Sequence, residues 1–342
     1  MKNLFIGIDV SKEKIDCCVK NRSEVLKELV VANEEKSIVR MLKAALKEAN
    51  ATVADTLVCA VYTGMYIFPL VCACKKLGVF LWIEDPTQIK YSFGVKRGKN
   101  DRADAFRIAE YALRFCDKAK PYALKSEDYA SLRILMTDRE LLLSDRKKYE
   151  AQLNDQKRFM SDADYKRKTK RLQPVINSLA ASLTEIEKQI EAIVKSNQKI
   201  EHQVELLCSV DGVGYVAAIR MVTITDGFEK FSNCRQFCCY AGIAPFQYIS
   251  GSSVHSKCRV SQRANKSVKA LLHMCSIAVI HRKNGEMKDY YLRKTAEGKH
   301  PMLVLNAIRS KIVARMFAVV KNDKPYQRNF FPPDKNILDF VC

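Results

Sequence analysis

The chain has 342 residues, 48% of them hydrophobic, enough to bury a substantial core and to form two or three domains. Its formal charge of +20 points to a nucleic acid as partner, with an anionic membrane surface as the weaker alternative. No apolar run reaches the ~18 residues of a membrane span, and Asp9 interrupts the hydrophobic N-terminal stretch, so no spanning helix or signal peptide is expected and a cytoplasmic, nucleoid-associated protein is. Thirteen cysteines without a Cys-x-x-Cys spacing, and five scattered histidines, favour buried free thiols over disulfides or a zinc site.

In chain order, the run LFIGIDV (4–10) and the run IDCCVK (15–20) predict two strands joined by a tight polar turn, with Asp9 near the end of the first. A third strand at 25–31 precedes a helix at 34–48, where Ile38, Met41, Leu42, Ala45 and Leu46 recur at helical spacing. Strands at 57–62 and 79–83 flank a helix through Leu70 and Cys74, so the fold class is α/β plus α, beginning with a mixed sheet. Residues 96–105 (KRGKNDRADA) open a helix running to about 115, and Asp101 and Asp104, at i and i+3, share one of its faces. An N-cap role suits Asp101 but leaves Asp104 unexplained. A strand-end Asp9 opposite both makes an all-oxygen site for Mg²⁺ or Mn²⁺.

From 131 to 204 the pattern is helical and strongly charged. Leu172, Ile176, Leu179, Leu183, Ile186, Ile190 and Ile193 form a heptad seam, Leu132, Leu135, Leu142 and Leu143 lie on an earlier arm, and 157–171 is a basic interruption. Two antiparallel arms, a dimerising coil and one flank of a bundle all fit. Residues 206–222 read as helix, Asp211-Gly212-Val213-Gly214, helix, a hairpin whose Gly212 and Gly214 could bring backbone N–H groups to a phosphate.

Between Lys230 and Lys283 there are nine Lys or Arg and no Asp or Glu, which calls for a polyanionic partner. Inside that window Ser250-Gly251-Ser252-Ser253 is followed by Lys257, Arg259, Arg263 and Lys266. A serine hydroxyl beside a glycine, with cations close behind, suits attack on a phosphodiester; a polar turn is the plainer alternative. Helices at 267–280 and 299–320 follow, then a Pro-rich tail at 329–334.

GIDVSK at 7–12, TGMY at 63–66, KNDRADA at 99–105, DGVG at 211–214 and YAGIAPFQYISGSS at 240–253 stand in an order that resembles the IS110-type insertion-sequence transposases, including the IS1111 branch, over nearly the full length. The resemblance implies a RuvC-like domain of the RNase H fold at 1–125, a coiled-coil region at 126–204, a mainly helical transposase domain at 205–325 and a tail at 326–342. It implies an acidic tetrad in which Asp9, Asp101 and Asp104 match three members, and Ser250 as a nucleophile that forms a phosphoserine link to DNA. It further implies a homo-oligomer, a dimer or tetramer, whose active site joins the RuvC-like domain of one subunit to the serine domain of another. A structured non-coding RNA from the element would choose target and donor DNA. Lys96, Arg97, Lys99, Arg102, Gly212, Gly214, Lys257, Arg259, Arg263 and Lys266 are the residues expected to touch nucleic acid.

Two positions depart from the family pattern. The tetrad Glu would fall on Val61, which cannot bind a cation, and Glu84 or Asp85 on the neighbouring strand are the carboxylates available to substitute. Ala264 replaces a Gly before Asn265, which predicts an altered turn. Against the recombinase stand a RuvC-like nuclease or junction resolvase in which water attacks, and a binding protein that lost its chemistry with the Glu. An actin-like ATPase would need a second Gly-rich phosphate loop, and none is found.

Overall fold

The computed structural model of the chain describes residues 2–93, 101–122, 127–247, 249–250, 254–255, 259–260 and 264–328. Two compact units result, Met1–Leu124 and Lys125–Cys342.

The first unit is built on a five-stranded sheet of β1 (Leu4–Val10), β2 (Lys14–Lys20), β3 (Val25–Ala32), β4 (Thr56–Val61) and β5 (Phe80–Glu84), in the order β3-β2-β1-β4-β5. β1 runs antiparallel to β2 and parallel to β4, so the sheet is mixed, as the sequence predicts. Alternation along β1 divides its side chains between two cores. Leu4, Ile6, Ile8 and Val10 pack with α1 (Glu35–Glu48) and α2 (Phe68–Leu77) through Ile38, Leu42, Leu70 and Ala73. Phe5 packs on the other face with α3 (Pro86–Ser92) and α4 (Asp101–Arg114) through Ile89, Ile108 and Ala112.

Close seating of α4 depends on one residue. A Cβ on Gly7 would lie 2.2 Å from the Ala109 nitrogen and 2.3 Å from the Ala105 oxygen, closer than any real Cβ contact. Ala105 and Ala109 are buried there with Cys18 of β2. Beside them Lys20 of β2 donates to Glu110 of α4, which also accepts from Arg114 Nε at 2.8 Å. The Lys20 hydrogen bond holds the Glu110 carboxyl below its ordinary 4.5, against the upward pull of burial. A depressed carboxyl stabilises the fold above its unfolded pKa and loses that contribution as pH falls below about 4.5. Glu110→Gln strands the Lys20 ammonium, so it should cost about 2–3 kcal/mol at neutral pH and flatten the acid limb of the stability curve. Urea unfolding at a series of pH values checks both.

The second unit opens with α5 (Glu127–Gln156) and α6 (Asp162–Ser196). Lys168 contacts Gln156, Arg139 pairs with Glu187, and Asn197 donates to Asp128, so the two helices run antiparallel along their whole length. Of the readings open at the sequence level, the fold within one chain is the pair of antiparallel arms. Ile176, Leu183 and Ile190 are buried in the seam, while Leu172, Leu179, Ile186 and Ile193 are only half covered.

The base of these arms joins a helical core. Leu132, Met136, Ile190 and Val194 pack with α7 (Gln198–Cys208), α8 (Tyr215–Thr225) and α9 (Cys234–Tyr240). After α9 the chain makes an out-and-back excursion. β6 (Pro245–Phe246) pairs with β9 (Arg259–Val260), and β7 (Ile249–Ser250) pairs with β8 (Val254–His255) within it. α10 (Lys266–Ile280), α11 (Glu286–Ala296) and α12 (Pro301–Asn322) complete the unit, with Leu272, Cys275, Ile308 and Met316 in the core. All the described cysteines are free, and burial pushes the Cys74 and Cys238 thiols up to about 12. No described helix is long and apolar enough to cross a membrane.

Candidate functional site

In the first unit the carboxylates are placed by β1 and α4. Phe5, Gly7 and Asp9 follow one another on the α4 side of β1. Phe5 shares a core with Ile108 and Ala112, and Gly7 lies against Ala105 and Ala109. Each two-residue step along the strand thus moves about one turn toward the helix N-terminus, which puts Asp9 level with the first turn of α4, where Asp101 and Asp104 stand. The Asp104 carboxylate, 28% exposed, accepts from Arg107 Nη1 at 2.6 Å. Arg102 is exposed on the same turn. The Asp101 side chain, together with Lys96, Arg97 and Lys99, lies outside the described residues.

Strand register adds Asp16, which sequence reasoning did not place, and sets it in line with Val61 and Glu84. Asp16 of β2 pairs with Asp9, Ile8 pairs with Ala60 so that Asp9 stands level with Val61, and Val61 pairs with Glu84 of β5. Directly paired residues share a face, so Asp16, Asp9, Val61 and Glu84 form one row on the α4 side of the sheet. Asp16 was legible in principle, because a tight turn after residue 10 sets which residue of the second strand faces Asp9. Its side chain is 7% exposed and pairs with Lys14 at 3.0 Å. The Tyr111 hydroxyl donates to Glu84 Oε2 at 3.4 Å, and burial together with that carboxylate pushes the phenol up to about 12. The Cys59 thiol is pushed up by burial and by the same carboxylate.

Among the described residues no group of three His, Cys, Asp or Glu side chains converges closely enough to hold a metal ion. The donor chemistry of Asp9, Asp101 and Asp104 nevertheless fits a hard divalent cation, since all three offer carboxylate oxygen.

In the second unit the serine stretch is anchored at both ends. Gly242 takes φ 65 just past α9, and Ile243 donates back to the Cys238 carbonyl at 3.0 Å. On return, Asn265 donates through Nδ2 to the Tyr240 hydroxyl at 2.8 Å and caps α10 by accepting from the Val268 N–H at 3.1 Å. The positive-φ residues other than glycine are Asn50, Asp226, Phe228 and Asp323 among those described. The altered turn expected at Ala264 involves residue 263, which lies outside the described residues. Between the anchors Ser250 is the last residue of β7, paired with Val254 immediately before residues 251–253. A short hairpin, not an open loop, therefore carries it. Arg259 and Lys266 are exposed. The Ser250 side chain, Lys257 and Arg263 lie outside the described residues, as does the 329–334 tail.

Arg309 of α12 is 4% exposed, and no carboxylate pairs with it among the described residues. Its Nη2 donates to His273 Nδ1 at 2.7 Å, so that nitrogen is the acceptor and the imidazole is neutral. Burial lowers both groups below their ordinary values, and the guanidinium lowers His273 further.

The Asp211-Gly212-Val213-Gly214 turn serves packing as much as any ligand. Asp211 accepts from Arg282 at 2.6 Å and from Arg328 at 2.7 Å. Gly212 has φ +85, and a Cβ there would lie 2.2 Å from Val279 Cγ2 and 2.6 Å from the Cys275 oxygen of α10. Gly214 is exposed with open space around it. Gly212→Ala should therefore cost about 2–3 kcal/mol in denaturant unfolding while leaving the salt dependence of DNA binding unchanged. A smaller salt slope would put this glycine at a phosphate instead.

Residues 6–156 match the family DEDD_Tnp_IS110, described as a transposase, and residues 204–292 match Transposase_20, the transposase IS116/IS110/IS902 family. The chain belongs to the IS110 family of transposases. The first match covers the sheet, α4 and α5; the second runs from α7 into α11 and contains the serine hairpin. Among relatives of this IS110-family transposase, a pilin gene-inverting protein of Moraxella lacunata is 22% identical over 335 residues, 96% of this chain and 99% of the relative. A transposase for insertion sequence element IS1111A of Coxiella burnetii is 24% identical over 263 residues, 68% of this chain and 70% of the relative. T. thermophilus RuvC, solved in complex with a Holliday junction substrate, is 16% identical with a TM-score of 0.27, covering 35% of this chain and 99% of that one.

Proposed function

We propose that this IS110-family transposase cuts and rejoins DNA through a covalent link between Ser250 and a strand end, with Asp9, Asp101 and Asp104 acting at the same phosphodiester. The observation that supports this most is the tandem of family matches: the first contains the carboxylates on β1 and α4, and the second contains Ser250 on its hairpin.

In this reading the Ser250 hydroxyl gives up its proton, its oxygen bonds to phosphorus, and one sugar oxygen leaves as a hydroxyl after taking up a proton. A second strand's sugar hydroxyl then attacks the phosphoserine and expels Ser250, so bond energy is kept and no high-energy cofactor is consumed. The cations between Lys230 and Lys283, a stretch with no acid of its own and in which Arg282 is engaged by Asp211, hold the DNA backbone and stabilise charge developing on the phosphoryl oxygens. Mg²⁺ or Mn²⁺, held by Asp9, Asp101 and Asp104, would supply further positive charge at that phosphodiester. The family resemblance supports a structured RNA as guide and a homo-oligomer as the working form, and the +20 charge supports a nucleic acid as partner.

The test is a denaturing gel of the protein with labelled element-end DNA, the element's flanking RNA and Mg²⁺. A protein-linked DNA band is the expected result. Cut DNA without such a band would favour a nuclease that uses water. Binding without cutting would mark a chain that lost its chemistry.

A further inference from the structure

The basic stretch that joins the two arms of the second unit takes no part in the proposed chemistry. Between 157 and 171 there are seven Lys or Arg against two Asp, and they stand at the turn end of the α5–α6 pair. Glu140, which accepts from Arg220 and Ser267, is the outermost α5 residue bonded to the helical core among the described residues. From there to Gln156 the helix rises about 24 Å. Contacts of this outer part run within the arm itself, as Arg146 with Glu150 and Lys168 with Gln152 and Gln156.

The charges at the tip differ from those of an ordinary solvated helix face. At its base α6 mixes signs: residues 183–196 hold Glu185, Glu187 and Glu191 with Lys188 and Lys195, and Glu191 pairs with Lys195 at 2.7 Å. At the tip the same helix places Lys166 with Lys170 and Arg167 with Arg171 at i and i+4, like-charge pairs that destabilise a helix. Both acids of the tip serve local structure. Asp162 stands in the first turn of α6, and Asp164 pairs with Arg167 at 2.7 Å and accepts from the Ser161 hydroxyl at 2.7 Å. Lys157, Arg158, Lys166, Lys170 and Arg171 are exposed and form no ion pair among the described residues. Phe159 stands beside them 75% exposed, with the Arg158 guanidinium over its ring at 4.8 Å.

We infer that this tip is a second nucleic-acid contact of the chain, binding the phosphate backbone of a double helix without reading its sequence, a conclusion that rests on the reading of the chain as acting on nucleic acid but on neither Ser250 nor a metal. A polyanion relieves the like-charge repulsion, and each phosphate neutralised releases condensed counterions. Lysine ammonium groups act as point charges on phosphate, and the bare Phe159 ring offers an apolar face to the sugars and bases between. A second copy of the same tip would only add to the repulsion. DNA and RNA duplexes share this backbone chemistry.

Fluorescence anisotropy of the full-length protein with a duplex of arbitrary sequence, as DNA and as RNA, over a series of salt concentrations tests this. Lys166→Gln combined with Lys170→Gln should lower affinity roughly tenfold or more at ~0.1 M salt and reduce the slope of log K against log salt by about 2. An effect on one duplex and not the other names the source of the backbone. Lys188→Gln with Lys195→Gln removes the same charge from the base of the same helix and should leave the slope unchanged. The melting temperature of the tip variant should hold or rise, since a like-charge pair is removed. An undiminished slope in the tip variant, or an equal fall in the basal one, would overturn the inference. So would a change in the sedimentation coefficient of the tip variant without nucleic acid, which would assign the tip to a contact between copies. If the parent binds with a steep salt slope that the tip variant keeps, only the role of the tip fails; if the parent binds neither duplex, the nucleic-acid reading fails with it.

Discussion

Ser250→Ala should abolish the protein-linked DNA species, lowering its rate of formation by about 10⁴-fold or more, while DNA affinity and its salt dependence stay at the parent level. The size of the effect follows from the chemistry: without the hydroxyl no phosphoserine bond forms at that position. Ser252→Ala is the control, because residues 251–253 follow the last paired residue of β7 and only the resemblance singles out Ser250. Loss of the adduct in Ser252→Ala with retention in Ser250→Ala would move the nucleophile by two residues. Parallel loss of DNA binding in Ser250→Ala would make the serine structural. The hairpin is held by Asn265 and Tyr240, so a change of hydroxyl to hydrogen at Ser250 leaves its anchors untouched.

Gly7→Ala should destabilise the first unit by about 3 kcal/mol or more and lower its melting temperature by about 10 °C or more. The added Cβ would sit 2.2 Å from the Ala109 nitrogen and 2.3 Å from the Ala105 oxygen. Both are backbone atoms, which cannot swing aside as a flexible side chain does, so α4 as a whole must shift. Asp101 and Asp104 ride on that helix while Asp9 stays on the strand, and adduct formation should fall further than stability alone dictates. Gly214→Ala, at φ −92 with open space around the Cβ, should change the melting temperature little and controls for the loss of a glycine. An equal effect of the two substitutions would show that α4 is not seated through Gly7.

Local pattern accounts for what was legible. Short apolar runs predicted β1, β2, β4 and β5, and helical spacing predicted α1, α4, α10 and α12, because each element carries its own buried residues within a contiguous stretch. The heptad seam likewise announced α6. Asp9, Asp101 and Asp104 stood out because carboxylates at a strand end and at i, i+3 on a helix are local features. The hairpin around Ser250 was missed: its paired segments are two residues each, too short for any periodicity to register.

By itself, then, the sequence determined the strands of the first unit, the longer helices, the family, and the placement of Asp9 near a strand end and of Asp101 and Asp104 on one helix, since these reside in contiguous residues and short motifs. Only the tertiary structure decided that Asp16 and Glu84 share a row with Asp9, that Gly7 and Gly212 are close-packing positions, and that the seam of α6 closes on α5. Each of these depends on which distant segment lies alongside. Cross-strand register and helix docking are set by long-range burial, and no local spacing encodes them.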